Sequence, residues 1–181
     1  MTASGIVLSG GRSTRMGVPK ATLPFGPETM LQRVVRLLGT VVSPIVVVAA
    51  RDQSLPELPA DVKITHDERE QRGPLEGLRA GLKALPNSVD VAYITSCDVP
   101  LLVPAFVVRM VELLGDHDIA VMEIEGFPHP LSAVYRRDTL PHVEALLEKD
   151  RLVASTSSKS DARTSRFPRW ARRCCRCARS C

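Results

Sequence analysis

The stretch at residues 8–20 reads LSGGRSTRMGVPK and follows an apolar segment, residues 6–8, with the character of a β-strand. It combines two adjacent glycines with two arginines and a lysine. Glycine lets a backbone turn sharply and brings bare N–H groups against a phosphate, while cations neutralise the phosphate charge. A strand that runs into such a loop predicts a binding site for a triphosphate.

The spacing in this loop excludes two other phosphate-binding motifs, the G-x-x-x-x-G-K-[ST] P-loop and the G-x-G-x-x-G dinucleotide fingerprint. The pattern L-x-G-G-x-S-x-R-M-G-x-x-K instead resembles the signature loop of sugar- and cofactor-nucleotidyltransferases. Within that superfamily it is most similar to the molybdenum cofactor guanylyltransferase family, which joins GMP to molybdopterin. The resemblance implies that GTP is bound by Leu8, Ser9, Gly10, Gly11 and Lys20.

Length and composition indicate one globular α/β domain. The chain has 181 residues, enough for a sizeable core but short for two domains. It contains no apolar run near the ~20 residues that a membrane-spanning helix needs. Its first residues lack the basic and apolar regions of a signal peptide. Together with a single cysteine, Cys97, before residue 174, these features predict a cytoplasmic protein.

Charge and cysteine content divide the chain near residue 152. Residues 1–152 carry 16 Lys or Arg and 19 Asp or Glu, whereas residues 153–181 carry eight Lys or Arg and one Asp. Four cysteines lie within residues 174–181, but their C-C-x-C-x-x-x-C spacing lacks the paired C-x-x-C pattern of zinc sites. We therefore expect a nucleotidyltransferase domain over residues 1–152 and a disordered basic tail over residues 153–181.

The domain alternates between strand and helix patterns, which predicts a three-layer αβα, Rossmann-like fold with a mostly parallel sheet. The predicted strands are residues 5–9, 45–50, 62–65, 89–96, 119–124 and 131–135, and the predicted helices are residues 28–38, 74–85, 105–114 and 138–147. Ligands of such sheets bind at the carboxyl ends of the strands. The glycine loop and Asp98 both follow predicted strands, so we expect them at one edge of the sheet.

Asp98 is the candidate metal ligand. It lies in TSCDVP, residues 95–100, just past a buried strand. Mg²⁺ prefers one or two carboxylates together with phosphate oxygens and water. The C-D-x-P sequence also resembles the metal-binding turn of the guanylyltransferases. Asp98 is therefore expected to bind Mg²⁺ and, through it, GTP.

Asp67 and Arg15 complete the predicted site, together with a catalytic role for Lys20. Asp67 precedes Gly73-Pro74-Leu75 in a segment similar to the family's D…G-P-L-x-G-L, whose aspartate contacts the guanine nucleotide. Lys20 and Arg15 are expected to bind the triphosphate and stabilise the charge that develops as pyrophosphate leaves. Lys20, Arg15 and Asp98 form the predicted catalytic set.

The reaction that the resemblance implies is an attack of the molybdopterin phosphate on the α-phosphorus of GTP. A phosphate is largely ionised at neutral pH, because its second pKa is about 6, so it needs no general base. GTP and molybdopterin are the expected substrates, and a molybdoenzyme or cofactor-insertion protein is the expected recipient of the product.

Two departures from the family pattern keep other functions open. The turn after the second strand, residues 49–52, lacks the asparagine that often contacts the base, so cytidylyl transfer is an alternative. Residues 165–170 replace the usual F-x-N-x-N-T-P element, which allows a nucleotide-binding protein with impaired catalysis. A third possibility is nucleic-acid binding through the basic tail.

Overall fold

The computed structural model of the chain describes residues 2–10, 19–67 and 73–156. The strands are β1 (Ala3–Leu8), β2 (Pro24–Phe25), β3 (Glu28–Thr29), β4 (Ile45–Ala49), β5 (Lys63–His66), β6 (Val91–Ser96), β7 (Ile119–Ile124) and β8 (Phe127–Arg136). The helices are α1 (Met30–Gly39), α2 (Pro74–Ala84), α3 (Pro104–Leu114) and α4 (Leu140–Thr156). Single 3₁₀ turns occur at Lys20–Thr22 and Arg137–Thr139.

Six strands form one sheet in the order β5-β4-β1-β6-β8-β7. The sheet is mostly parallel, as the alternating pattern predicts. The strands β5, β4, β1 and β6 are parallel, and the register pairs Leu8 with Val48 on one side and with Ser96 on the other. The carboxyl ends of β1, β4 and β6 therefore meet at one edge. β8 is antiparallel to both of its neighbours.

The antiparallel strand has a simple local cause. Only Glu125 and Gly126 separate β7 from β8, and both have positive φ, 51° and 83°. A two-residue connection of this kind joins antiparallel strands, whereas parallel strands need a crossover of a dozen or more residues. β8 is accordingly longer than the predicted strand at residues 131–135.

Helices cover both faces of the sheet and give the three predicted layers. Alternate side chains of β1 point to opposite faces, so Val7 packs in one buried cluster and Ile6 in the other. The first cluster includes side chains of α1 and α3, and the second includes side chains of α2 and α4. The sheet is thus buried on both sides, as its continuous apolar strands require.

Most helix boundaries lie close to the predicted ones, with two differences. α1 starts at Met30 rather than residue 28, because the Thr29 side chain accepts a hydrogen bond from the Gln32 backbone N–H and the Gln32 side chain bonds back to the Thr29 N–H. α4 continues to Thr156, past the predicted end at residue 147.

The domain boundary at residue 152 and the disorder of residues 153–181 stay predictions, and residues 157–181 lie outside the described part.

Within the described residues, no helix has the length and apolar character needed to cross a membrane.

Candidate active site

The site is built at the edge where β1, β4, β5 and β6 end. The start of the glycine loop, Ser9 and Gly10, follows β1, Asp67 follows β5, and Asp98 follows β6. Leu8 is the last residue of β1, and its carbonyl accepts a hydrogen bond from the backbone N–H of Cys97 at 3.0 Å. Parallel pairing thus brings residues from distant parts of the sequence to one crevice.

The beginning of the glycine loop is held against the end of β4. The backbone N–H groups of Ser9 and Gly10 both donate to the carbonyl of Val48, at 2.8 and 3.3 Å. A Cβ on Gly10 would lie 3.2 Å from Asp67 Oδ2 and 3.6 Å from the Ala50 nitrogen. Glycine at position 10 therefore allows the Asp67 carboxylate to approach the loop backbone.

Lys20 and Asp98 form the charged centre of the site. Lys20 Nζ donates to Asp98 Oδ2 at 2.6 Å, although 78 positions separate the two residues. The side chains keep 45 % and 34 % of their surface exposed, so both groups remain accessible to a ligand. The hydrogen bond to Asp98 raises the pKa of Lys20 above its ordinary value, which keeps this amine positively charged.

Asp98 is held as a carboxylate. Burial alone would raise its pKa, but hydrogen bonds from Lys20 and from the Ser96 hydroxyl outweigh that effect and hold the pKa of Asp98 below its ordinary value. An ionised, partly exposed carboxylate is the oxygen ligand that a hard divalent cation takes. No cluster of three or more His, Cys, Asp or Glu with metal-site geometry occurs among residues 2–10, 19–67 and 73–156. A cation bound to Asp98 would accept phosphate oxygens and water as further ligands.

Asp67 has a different electrostatic setting. Burial raises the pKa of its carboxyl above the ordinary value, and the nearby Glu76 raises it further. Glu76 is buried in the first turn of α2 and is paired with Arg79. In the described part of the chain, neither Asp67 Oδ1 nor Glu76 Oε2 has a hydrogen-bond partner.

Two supporting residues were not predicted from the sequence. Arg33 of α1 donates from Nε to the carbonyl of Pro100 at 2.9 Å, and its guanidinium lies 5.0 Å from the centre of the Phe25 ring. It thereby ties α1 and β2 to the turn that carries Asp98. Gln53 contacts both Ser9 and Ala50. In the sequence, a role for Gln53 is indicated only by its position, because its amide side chain directly follows the turn at residues 49–52.

Cys97 does not contribute reactive chemistry, although it adjoins Asp98. Its side chain is buried, and burial raises the pKa of the thiol to about 11. The thiolate is the nucleophilic form of cysteine, so this residue is inert at neutral pH. Its place is in the apolar core beneath the site.

The described residues thus bring together Leu8, Ser9, Gly10, Lys20, Asp67 and Asp98 from the predicted set. Gly11 and Arg15 lie outside the described residues. The turn after β4 presents Arg51 exposed to solvent, whereas the Gln53 amide faces the glycine loop. The arrangement combines a cation, an ionised carboxylate and a backbone turn at one sheet edge, which suits a metal-bound polyphosphate.

Comparison with known proteins identifies the family of the chain. Residues 5–162 match the MobA-like NTP transferase domain. A Mycobacterium avium protein named "Probable molybdenum cofactor guanylyltransferase" is 38 % identical over 151 residues, which cover 81 % of this chain and 76 % of that protein.

Solved structures show the same fold. The molybdopterin-guanine dinucleotide biosynthesis protein A of Archaeoglobus fulgidus superimposes with a TM-score of 0.64 at 18 % identity, covering 83 % of this chain and 77 % of that one. A Mycobacterium tuberculosis protein in complex with manganese superimposes with a TM-score of 0.60 at 19 % identity, covering 89 % and 85 %. The chain therefore belongs to the MobA-like NTP transferase family and is a nucleotidyltransferase.

Proposed function

We propose that this enzyme transfers GMP from GTP to the phosphate of molybdopterin or molybdenum cofactor in the cytoplasm and releases pyrophosphate. The observation that carries the proposal is the contact between Lys20 and Asp98 beside the start of the glycine loop. The relative from Mycobacterium avium, named for guanylyl transfer, supports the choice of substrates. A molybdoenzyme or cofactor-insertion protein would receive the product.

Each residue of the site has a role in this proposal. The backbone of Leu8, Ser9, Gly10 and Gly11 would bind the nucleotide. Lys20 and Arg15 would neutralise the negative charge of the triphosphate as pyrophosphate leaves. In-line attack by an ionised phosphate needs alignment rather than a general base. This agrees with a site that contains Lys20 and Asp98 in contact, with Asp67 close to Gly10.

Asp98 would hold Mg²⁺. The residue fits because its carboxyl is ionised and partly exposed, and because Lys20 lies next to it to receive phosphate oxygens. The manganese complex of the Mycobacterium tuberculosis protein supports a divalent cation in this fold. When bound, the metal would neutralise charge on the phosphates and help to orient them.

Asp67 would contact the guanine nucleotide, since its Oδ2 lies close to Gly10 at the entrance of the loop. Cytidylyl transfer stays the alternative for the same site, because the turn after β4 has no asparagine. Competition decides between the two: GTP should displace a bound fluorescent GTP analogue at lower concentration than CTP. The opposite order would assign the enzyme to cytidylyl transfer.

The proposal is tested by pyrophosphate release from Mg·GTP with and without molybdopterin. We expect release only when molybdopterin is present, and a loss of about 100-fold or more in Asp98→Asn, the size expected when electrostatic stabilisation of the transition state is removed. Asp116→Asn is the matched control, because Asp116 is exposed before β7, at the opposite edge of the sheet. GTP binding without release would instead indicate a catalytically impaired nucleotide-binding protein.

A further inference from the structure

Gln53 connects the two turns that meet at the site. Its Nε2 donates to the carbonyl of Ser9 at 3.0 Å and to the Ser9 hydroxyl oxygen at 2.8 Å. Its Oε1 accepts from the backbone N–H of Ala50 at 3.2 Å. The side chain is half-buried, and its own backbone N–H closes the turn by donating to the Ala50 carbonyl at 3.1 Å.

These contacts engage both ends of the amide. A glutamine carries one acceptor oxygen and one donor nitrogen, and the nitrogen bonds to two oxygens of Ser9 here. A serine oxygen that accepts a hydrogen bond keeps its own hydrogen for another acceptor. The Ser9 hydroxyl is therefore oriented by Gln53 and remains able to donate.

The segment that Gln53 holds is the one from which the glycine loop departs. Backbone bonds from Ser9 and Gly10 to Val48 secure only the N–H side of this segment. Gln53 secures the carbonyl side of Ser9, and it also holds the Ala50 backbone beside Gly10. Without it, the described contacts would leave the direction of the Ser9 peptide less constrained.

We propose that Gln53 is a positioning residue for nucleotide binding, which sets the Ser9–Gly10 backbone and the Ser9 hydroxyl for the triphosphate. The inference rests on the proposed function. It assigns to this amide a role in the loop rather than in direct contact with the base, because both ends of its side chain are already bonded within the protein.

Gln53→Glu tests the proposal with almost no change in shape. The new carboxylate keeps the acceptor for Ala50, but it repels the Ser9 carbonyl and takes the hydrogen of the Ser9 hydroxyl. We expect Kd and KM for Mg·GTP to rise about tenfold, the equivalent of one to two neutral hydrogen bonds. The kcat should change by less than about twofold, because Lys20 and Asp98 are untouched.

Gln32→Glu is the matched control. The Gln32 amide also accepts from a backbone N–H, that of Thr29, and donates to a backbone carbonyl, that of Glu57, both at 2.9 Å. It faces the groove between α1 and residues 57–62, whose lining includes none of the candidate site residues. The same substitution there keeps the acceptor for Thr29, removes the donor to Glu57 and should leave GTP affinity unchanged.

A pH series gives a second readout that a general loss of stability would not produce. A protonated carboxyl can again donate to the Ser9 carbonyl, so the affinity of Gln53→Glu relative to wild type should recover as the pH falls from 8 towards the ordinary glutamate pKa of about 4.3. Equal GTP affinity of Gln53→Glu and wild type would overturn the inference. Absence of GTP binding by the wild-type enzyme would instead overturn the proposed function, so the two failures are distinguishable.

Discussion

At the scale of single residues, the site depends on opposite charges that the fold brings together. Lys20 follows the glycine loop and Asp98 follows β6, yet their charged atoms are 2.6 Å apart. Arg33 supports this pair indirectly by binding the carbonyl of Pro100 in the same turn. A phosphate and a cation approaching this edge would thus meet a lysine and a carboxylate that already neutralise each other.

The pKa shifts of this pair define a pH dependence of stability. The pKa of Asp98 is lowered on folding. Its contribution to folding stability is therefore present above the ordinary pKa of 3.8 and is lost as the pH falls through the pKa of the folded state. The pKa of Lys20 is raised, so its contribution is lost only as the pH rises beyond 10.5.

We therefore expect Asp98→Asn to lower the unfolding midpoint by a constant amount between pH 5 and pH 9, and by less below pH 3.8. The partly exposed pair should contribute at most about 1 kcal/mol, or about 2–4 °C. Thermal unfolding followed by circular dichroism measures this, with Asp116→Asn as the control. A difference in unfolding midpoint between Asp98→Asn and wild type that becomes larger at acidic pH would contradict the assignment of the charges.

At the scale of elements, α2 approaches the sheet through glycines. A Cβ on Gly81 would lie 2.5 Å from Cγ2 of Ile6, and one on Gly77 would lie 3.1 Å from Cδ2 of Leu8. Ile6 is fully buried in the middle of the sheet, so it has little room to move. The glycines therefore bring the helix that follows Asp67 close against β1, the strand that leads into the glycine loop.

Gly81→Ala should consequently destabilise the fold by about 1–3 kcal/mol, the usual cost of overpacking a core. Gly39→Ala is the matched control, because that residue is exposed at the end of α1 and its Cβ would make an ordinary 3.4 Å contact with Ile45. Alanine at position 39 should be neutral or stabilising by up to about 1 kcal/mol. Equal unfolding free energies of the two variants in urea would refute the close-packing explanation.

At the scale of the whole molecule, the described core is built from residues between Ala3 and Leu147. The segment 157–181 holds the positive charge that makes the chain basic, with eight Lys or Arg and one Asp. The candidate site residues all precede that segment. The candidate nucleotide site and the positive charge of the chain thus lie in different parts of the sequence.

Removal of residues 157–181 should leave the affinity for Mg·GTP within about twofold of wild type, a difference of less than about 0.5 kcal/mol. Titration with GTP and with a short RNA, on both chains, checks this. Loss of GTP binding on truncation would show that the segment contributes to the site. RNA binding by the full chain alone, with no GTP binding by either chain, would favour the nucleic-acid alternative.

The sequence by itself determined the features that arise from local pattern. Buried strands appear as continuous apolar runs, helices as periodic ones, and the glycine-rich turn and the aspartate after β6 as breaks between them. These patterns predicted the layered, mostly parallel fold, and the resemblance of residues 8–20 to a nucleotidyltransferase signature implied the family. They also named Lys20 and Asp98, whose functional roles stay predictions.

The tertiary structure decided which distant residues meet. The closeness of Gly10 to Asp67, the support from Arg33 and the bridge from Gln53 to Ser9 depend on strand order and register. Such contacts join segments dozens of residues apart, and side-chain periodicity carries no information about that pairing. A helix or strand records its own buried face in its sequence, whereas a site formed between elements exists only once those faces have packed together.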